Sequence, residues 1–251
     1  MSTLFTRRAA LTGGIVAAAA GGSLLARSMN LIPPDYGGSI YGIGRTLTYA
    51  SHRLLTIGQP LAREFPRTEI SRVAPVNGEP PEAEPYRGWA ENGFVDWRLT
   101  VDGLVERPLS LSLEELRNLP SETHITLHAC EEGWSYIAEW TGLRLSRLLE
   151  LAGTRPEARY AVFTPYENAS NGTSRILWNS IDMHDALHPQ TLLAYGMNGE
   201  TLSLGHGAPL RLRLARHMGY KNTKFLAKIT LIDDMALAHD MARRGPWYGG
   251  I

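Results

Sequence analysis

Thr123-His124-Ile125-Thr126-Leu127-His128-Ala129-Cys130-Glu131-Glu132-Gly133-Trp134-Ser135 is the stretch on which the reading of this chain turns. From Thr123 to Ala129 apolar and polar residues alternate, the period of a half-buried strand, so Cys130 is delivered at a strand end. It is the only cysteine among 251 residues. One cysteine excludes an intramolecular disulfide framework and any zinc site built on several thiolates. A lone cysteine is either a buried small hydrophobe or a reactive, liganding group. Soft thiolate sulfur suits a soft or redox-active metal, whereas carboxylates suit hard cations. Glu131 and Glu132 disfavour a free nucleophilic thiolate by like-charge repulsion, and a metal would relieve that repulsion. The competing reading is a Cys–His hydrolase using His128 or His124, but no nucleophile elbow surrounds the cysteine.

Outward from that strand, the pattern is strand-rich. Trp97, Leu99 and Val101 alternate with polar residues, and Asp102-Gly103 reads as a turn, predicting a strand and hairpin. Ser112-Leu113-Glu114-Glu115 is a capping box opening a short helix to about Leu119. Ser146 is expected to cap a second helix, Arg147 to Ala152, ended by Gly153. Strands are expected at 160–164, 192–196, 210–214 and 225–232, with Asn198-Gly199 as a hairpin turn. Strands outnumber helices without βαβ alternation, so the predicted class is α+β with mixed β-sheets.

A second constellation lies between Thr201 and Ile232. It holds Arg211, Arg213, Arg216, Lys221, Lys224 and Lys228 with His206 and His217, and no acidic residue. The whole chain is neutral, with 25 basic and 25 acidic residues. That balance argues against a nucleic-acid binder, which would rely on phosphate neutralisation, and makes this segment a local anion site. Arg211 and Arg213 share one face of a strand whose other face is Leu210, Leu212 and Leu214. Gly205, Gly207 and Gly219 are expected to let main chain approach a bulky ligand, and guanidinium forks suit a phosphate on it. The alternative is an ordinary solvated basic face.

The beginning of the chain reads as an address. Thr6-Arg7-Arg8-Ala9-Ala10-Leu11 resembles a twin-arginine export signal, followed by an Ala/Gly-rich apolar run to Ala26. This predicts export to the periplasm by the twin-arginine machinery, with an uncleaved membrane anchor as the alternative. The expected organisation is an export segment over 1–30, an extended arm with short helices over 31–90, a catalytic domain over 91–235 and a tail over 236–251. Within the arm, 47–65 has helix-like apolar spacing interrupted by Gly58 and Pro60. His184 and His188 flank a short predicted helix and read as surface or capping histidines.

Three blocks in order resemble the molybdopterin-binding domain of the sulfite oxidase family, nearest its bacterial branch of periplasmic methionine-sulfoxide reductases. They are Cys130 through Trp140-Thr141-Gly142; His188 through Ala194; and His206-Gly207-Ala208-Pro209-Leu210-Arg211 through Gly219 to Lys224. The resemblance covers residues 75 to 234. It implies that Cys130 supplies the single protein sulfur ligand to molybdenum, the other sulfurs coming from the pterin dithiolene. It also implies that His206 binds the pterin, that Arg211 pairs with its phosphate, and that Asn222, Thr223 and Lys224 wrap the phosphate end. Asn77 matches an upstream arm that closes over the cofactor, and Thr164 matches a further contact one position out of register.

The sequence departs from the sulfite-oxidising members in two ways. Those enzymes place arginines shortly after the liganding cysteine, where this chain has Glu131-Glu132-Gly133-Trp134. The sequence also runs only about twenty residues past the last family strand, so their dimerisation domain is not expected here. No C-x-x-C-H haem motif is present, so electrons are expected from a separate transfer protein, haem- or quinone-linked at the membrane. The expected activity is oxygen-atom transfer, reductase-like, on a small-molecule S- or N-oxide. The alternatives are a sulfite-oxidising enzyme and a non-catalytic periplasmic binding protein of the same fold. Trp134 is expected on the wall of the site, and Glu131 and Glu132 either beside the chemistry or merely solvated.

Overall fold

The computed structural model describes residues 61–82, 84–166 and 178–234, together with four helical positions at 47, 50, 51 and 54. The export segment, most of the 47–65 island and the 236–251 tail lie outside the described residues.

The first sheet runs in the order β2-β1-β10-β5-β6, from β1 (Arg98–Gly103), β2 (Leu109–Ser112), β5 (Tyr160–Pro165), β6 (Asn179–Asp182) and β10 (Leu226–Ile232). It is mixed, because β1 and β10 pair in parallel, Thr100 opposite Lys228, while the other neighbours are antiparallel. The second sheet is antiparallel, in the order β3-β4-β7-β8, from β3 (Ser121–Ala129), β4 (Ser135–Arg144), β7 (Thr191–Met197) and β8 (Glu200–Thr201), with β9 (Arg211–Leu214) also on β7. The described helices are short: α1 (Tyr86–Glu91), α2 (Leu113–Arg117), α3 (Leu145–Ala152) and α4 (Met183–Ala186). Few helices and one mixed sheet make an α+β fold.

Local signals account for much of this. The Ser112 hydroxyl accepts from Glu115 N, and the Glu115 carboxylate accepts from Ser112 N at 2.7 Å, so the box caps α2 as read. Asn198 and Gly199, at φ 54° and 81°, form the two-residue turn between β7 and β8, the positive φ pair of a type I′ hairpin. Two expectations need correction. Helix α3 begins at Leu145, its N-cap is Arg144 without a side-chain bond, and Ser146 lies inside the first turn. Asp102-Gly103 is not a two-residue turn, because β2 starts only at Leu109. Gly103 is required for another reason: a Cβ there would sit 2.2 Å from the Leu231 carbonyl of the neighbouring strand, and its φ is +83°.

The second sheet is packed on both faces. One face joins the main core, where Leu143 and Leu193 meet Trp97, Leu99, Phe163 and Ile229. The other carries a smaller cluster of Tyr136, Ala138, Trp140, Leu192 and Ala194. Trp140 is fully buried there, and losing such a side chain costs about 3–5 kcal/mol. Alternation puts Trp140 of β4 on one face and Leu143 on the other, and a register shift between Thr141 and Gly142 leaves Tyr195 of β7 as an extra residue, so that Ala194 and Met197 share a face. The chain over 61–82 lies along the free edges of this sheet. Phe65 N donates to the Ile125 carbonyl and Ser71 N to the Ile137 carbonyl, both at 2.9 Å, and Arg67 pairs with the buried carboxylate of Glu139. That path brings Val76, Asn77 and Gly78 beside Cys130 and Lys224.

Candidate cofactor site

The β3–β4 connection is tight: Cys130 N donates to the Trp134 carbonyl at 2.9 Å, and Gly133 N returns to the Cys130 carbonyl at 3.1 Å. This turn points the buried thiol into a cavity of about 770 Å³. The Sγ faces the Glu131 carboxylate at 3.5 Å and the Asn77 amide nitrogen at 3.9 Å. Of the residues singled out in the sequence, Asn77, Cys130, His206, Arg211, Asn222, Thr223 and Lys224 all line this one cavity, with Glu131 and Trp134. Thr164 does not. On β5 it pairs with Lys228 of β10, and the wall begins at Pro165; successive strand residues face opposite ways, so a one-residue offset turns the side chain away.

The basic segment forms one wall. Arg211 donates through Nη1 to the His206 carbonyl (2.9 Å) and through Nη2 to the Asn222 carbonyl (3.3 Å), leaving Nε without a partner. Its guanidinium stands 4.9 Å from the centre of the Trp140 ring, and that of Arg213 stands 5.2 Å away. Both arginines are buried, and among the described residues no carboxylate lies within 4 Å of either, or of Lys224. Lys224 Nζ instead donates to the carbonyls of Asn77 and Gly205, each at 2.7 Å, tying the upstream chain to this wall.

The electrostatics follow from that arrangement. Burial pushes Lys224 down to about 8, with the Arg211 charge adding to it. Arg213 is pushed down to about 9 by burial and then by Arg211. His128, on the cavity wall, is pushed down to about 2 by burial and by Arg213, Arg211 and His206, so it stays neutral. His206 is lowered by burial and Arg211, with the Ala74 carbonyl opposing, and its Nδ1 shares a hydrogen with Ser203 Oγ at 2.9 Å. Buried cations lacking carboxylates are costly unless an anion arrives to pair with them.

Neighbouring groups fix the segment that carries Asn222 and Thr223. Asp185, buried in α4, holds Arg216 Nη2 at 2.9 Å and His217 Nε2 at 3.0 Å just before the Gly219–Lys221 turn. Gly219 allows a close approach, but of protein to protein. A Cβ there would lie 3.2 Å from His128 Nε2 and 3.4 Å from the Ala129 carbonyl and Cys130 Cα. Gly205 and Gly207 likewise abut Val76 and the Lys224 side chain. These glycines therefore bring the segments of the site against one another, and Gly205 and Gly219 also line the cavity itself. His188 is also buried and accepts from Gln190 N at 3.2 Å, a turn-stabilising rather than a surface role.

Sequence reasoning missed Tyr136, Tyr220 and Asn179. Tyr136 lies under Trp134, ring centres 6.0 Å apart and nearly parallel, and its hydroxyl is raised by burial. Tyr220, on the cavity wall, is raised by burial and by Glu131. Asn179 Nδ2 donates to the Tyr220 carbonyl at 2.8 Å and to Thr223 Oγ1 at 3.3 Å. For Tyr136 the strand alternation through β4 was a usable signal; Asn179 offered none.

The donor set is one soft sulfur sharing a cavity with carboxylate-free cations, one of which, Arg211, keeps a buried guanidinium nitrogen without a partner. It fits a metal cofactor that carries sulfur at one end and phosphate at the other. Comparison with known proteins agrees: the profile of the oxidoreductase molybdopterin-binding domain matches residues 88–239. The chain belongs to the sulfite oxidase family. It is thus a molybdopterin-dependent oxidoreductase domain, with molybdenum as the metal of its cofactor. The YedZ1 subunit of Azospira oryzae, provisionally named a protein-methionine-sulfoxide reductase subunit, is 34% identical over 193 residues, 76% of this chain and 68% of the relative. The protein-methionine-sulfoxide reductase catalytic subunit MsrP of Campylobacter jejuni is 36% identical over 143 residues, 53% of this chain and 48% of the relative. The crystal structure of the sulfane dehydrogenase SoxCD from Paracoccus pantotrophus aligns with a TM-score of 0.50 at 27% identity, over 55% of this chain and 39% of that one. The chain thus spans about two thirds of the first relative and about half of the second.

Proposed function

We propose that this chain is an exported reductase that removes oxygen from an S- or N-oxide, with Cys130 as the protein ligand to molybdenum. The observation that carries the reading is the convergence of the lone thiol and three carboxylate-free cations, Arg211, Arg213 and Lys224, on one cavity and the layer directly beneath it. Relatives named as methionine-sulfoxide reductases support the S-oxide class. The name "catalytic subunit" supports a separate partner that delivers electrons. Among the described residues no helix is long and apolar enough to cross a membrane. The periplasmic location rests on the twin-arginine-like sequence and on the company of these relatives.

When bound, molybdenum in molybdopterin supplies two-electron oxygen-atom transfer between its +4 and +6 states. The chain's own residues set the conditions. Cys130 is held by the β3–β4 turn so that its sulfur faces the cavity. Arg211, Asn222, Thr223 and Lys224 would hold the phosphate end, and Asn77 and His206 the body of the pterin. Trp134 and Tyr136 form an aromatic wall that excludes water from one side, and Tyr220 lines the cavity. Glu131, beside the thiol where sulfite-oxidising relatives have cations, repels a dianion and tolerates a neutral oxide.

The test is turnover of the purified, cofactor-loaded protein with a reduced dye against dimethyl and methionine sulfoxides, trimethylamine N-oxide and, in the oxidising direction, sulfite. Sulfoxide or N-oxide reduction with sulfite oxidation at least tenfold slower is expected. Preferential sulfite oxidation would establish the alternative within the family.

A further inference from the structure

We propose that Arg213, which does not reach the cavity, is a positioning residue whose buried charge is balanced only when the anionic cofactor is bound. The proposal rests on the cofactor reading above and extends it to a residue outside the cavity wall.

Two observations carry it. The first is connectivity. Arg213 Nη2 donates to Thr126 Oγ1 at 2.9 Å and to the Leu127 carbonyl at 2.7 Å, on the strand that delivers Cys130. Its Nη1 donates to the Leu214 carbonyl at 2.8 Å and to Asn222 Oδ1 at 3.1 Å. Asn222 Oδ1 also takes the Leu214 N–H at 2.7 Å, and its amide donates to the Met218 carbonyl at 2.9 Å. One guanidinium therefore braces the cysteine-bearing strand against the segment assigned to the phosphate. A shift of either end is transmitted to the other through short, charge-assisted bonds.

The second observation is charge. Arg213 is 1% exposed, and the four acceptors of its guanidinium among the described residues are neutral oxygens. The groups that face it are Arg211, Thr126, Asn222, Tyr136 and the Trp140 ring that both arginines share. None is a carboxylate. Two guanidiniums out of water beside one indole repel each other, and the indole face offsets only part of that. An anion seated against Arg211 lies next to Arg213 as well, so binding relieves the repulsion and tightens the brace together. By linkage, the same charge that strains the empty protein raises its affinity for the phosphate.

The experiment compares wild type, Arg213→Met and Arg213→Lys, each prepared with cofactor and from cells unable to make the pterin. Melting temperatures of both forms are measured, along with molybdenum and pterin retained after timed dialysis. In wild type the loaded form melts above the empty form. Arg213→Met is expected to narrow that gap and to speed cofactor loss at least tenfold, equivalent to about 1.4 kcal/mol. Arg213→Lys keeps the charge and is expected to hold most of the gap. Equal losses in loaded and empty Arg213→Met, with the gap unchanged, would mean a merely structural arginine and overturn the proposal. Collapse of the gap in Arg213→Lys to the Met value would also overturn it, because charge would not be the cause. Should Arg213→Met fail to fold, Arg213→Gln keeps two donors without charge and the same gap decides. A wild type with no gap would sink the cofactor reading itself, an outcome distinct from failure at Arg213.

Discussion

Arg211→Ala separates the roles assigned to the basic wall. Arg211 touches the cavity directly, its Nε has no partner in the protein, and its two Nη groups hold the His206 and Asn222 carbonyls. Hydrogen bonds to a charged partner contribute about 1.5–3 kcal/mol each. Losing one or two to a phosphate therefore weakens cofactor binding by roughly 2–4 kcal/mol, about 30- to 1000-fold. Stability of the empty protein should change far less. Truncation leaves two carbonyls without donors, but it also removes a desolvated like charge from beside Arg213, and the two effects oppose each other. The assay is molybdenum per protein by elemental analysis and pterin by fluorescence after oxidation, with circular dichroism to confirm the fold. Folded Arg211→Ala carrying a full complement of metal and pterin would refute the phosphate assignment.

Two further outcomes follow from the same geometry. Gly219→Ala would press a methyl to 3.2 Å from His128 Nε2 and 3.4 Å from Cys130 Cα. Overpacking of that kind costs about 1–3 kcal/mol, so a melting temperature lower by several degrees and reduced molybdenum content are expected; an unchanged melt would show that the contact is slack. Stability against pH gives the other. Lys221 and Lys224 are pushed down to about 8 by burial, below the value of a free lysine. Above pH 8 the folded state therefore binds fewer protons than the unfolded chain, and stability rises with pH from about 8 to 10. Tyr136 and Tyr220, raised by burial, reverse the trend beyond about 10. The empty protein's melting temperature should thus climb between pH 8 and 9.5, and calorimetry showing it flat or falling would contradict the buried-cation account.

The parts of this molecule written in local chemistry were legible in the sequence. The period-2 run into Cys130, the reciprocal cap at Ser112 and Glu115, and the Asn198-Gly199 hairpin each depend on residues a few positions apart. The acid-free run from Thr201 to Ile232 was visible because charge balance is a property of composition. What failed depends on distant partners. Gly103 reads as a turn until Leu231, paired from far along the chain, shows that no side chain fits there. Thr164 misses the cavity by one position because strand direction is set by the register of β5 on β10. Arg213 and Asn179 act through side chains brought together only by the sheets. Where a site is assembled from both sheets, sequence shows which chemistry is present but not which residue stands in front.

The central claim is a bond between Cys130 and molybdenum, and X-ray absorption at the metal edge counts sulfur neighbours directly. Natively exported wild type and Cys130→Ser, both loaded with cofactor, are expected to differ by one sulfur in the first coordination shell. Identical sulfur counts in the two proteins, or wild type carrying no molybdenum, would contradict the account.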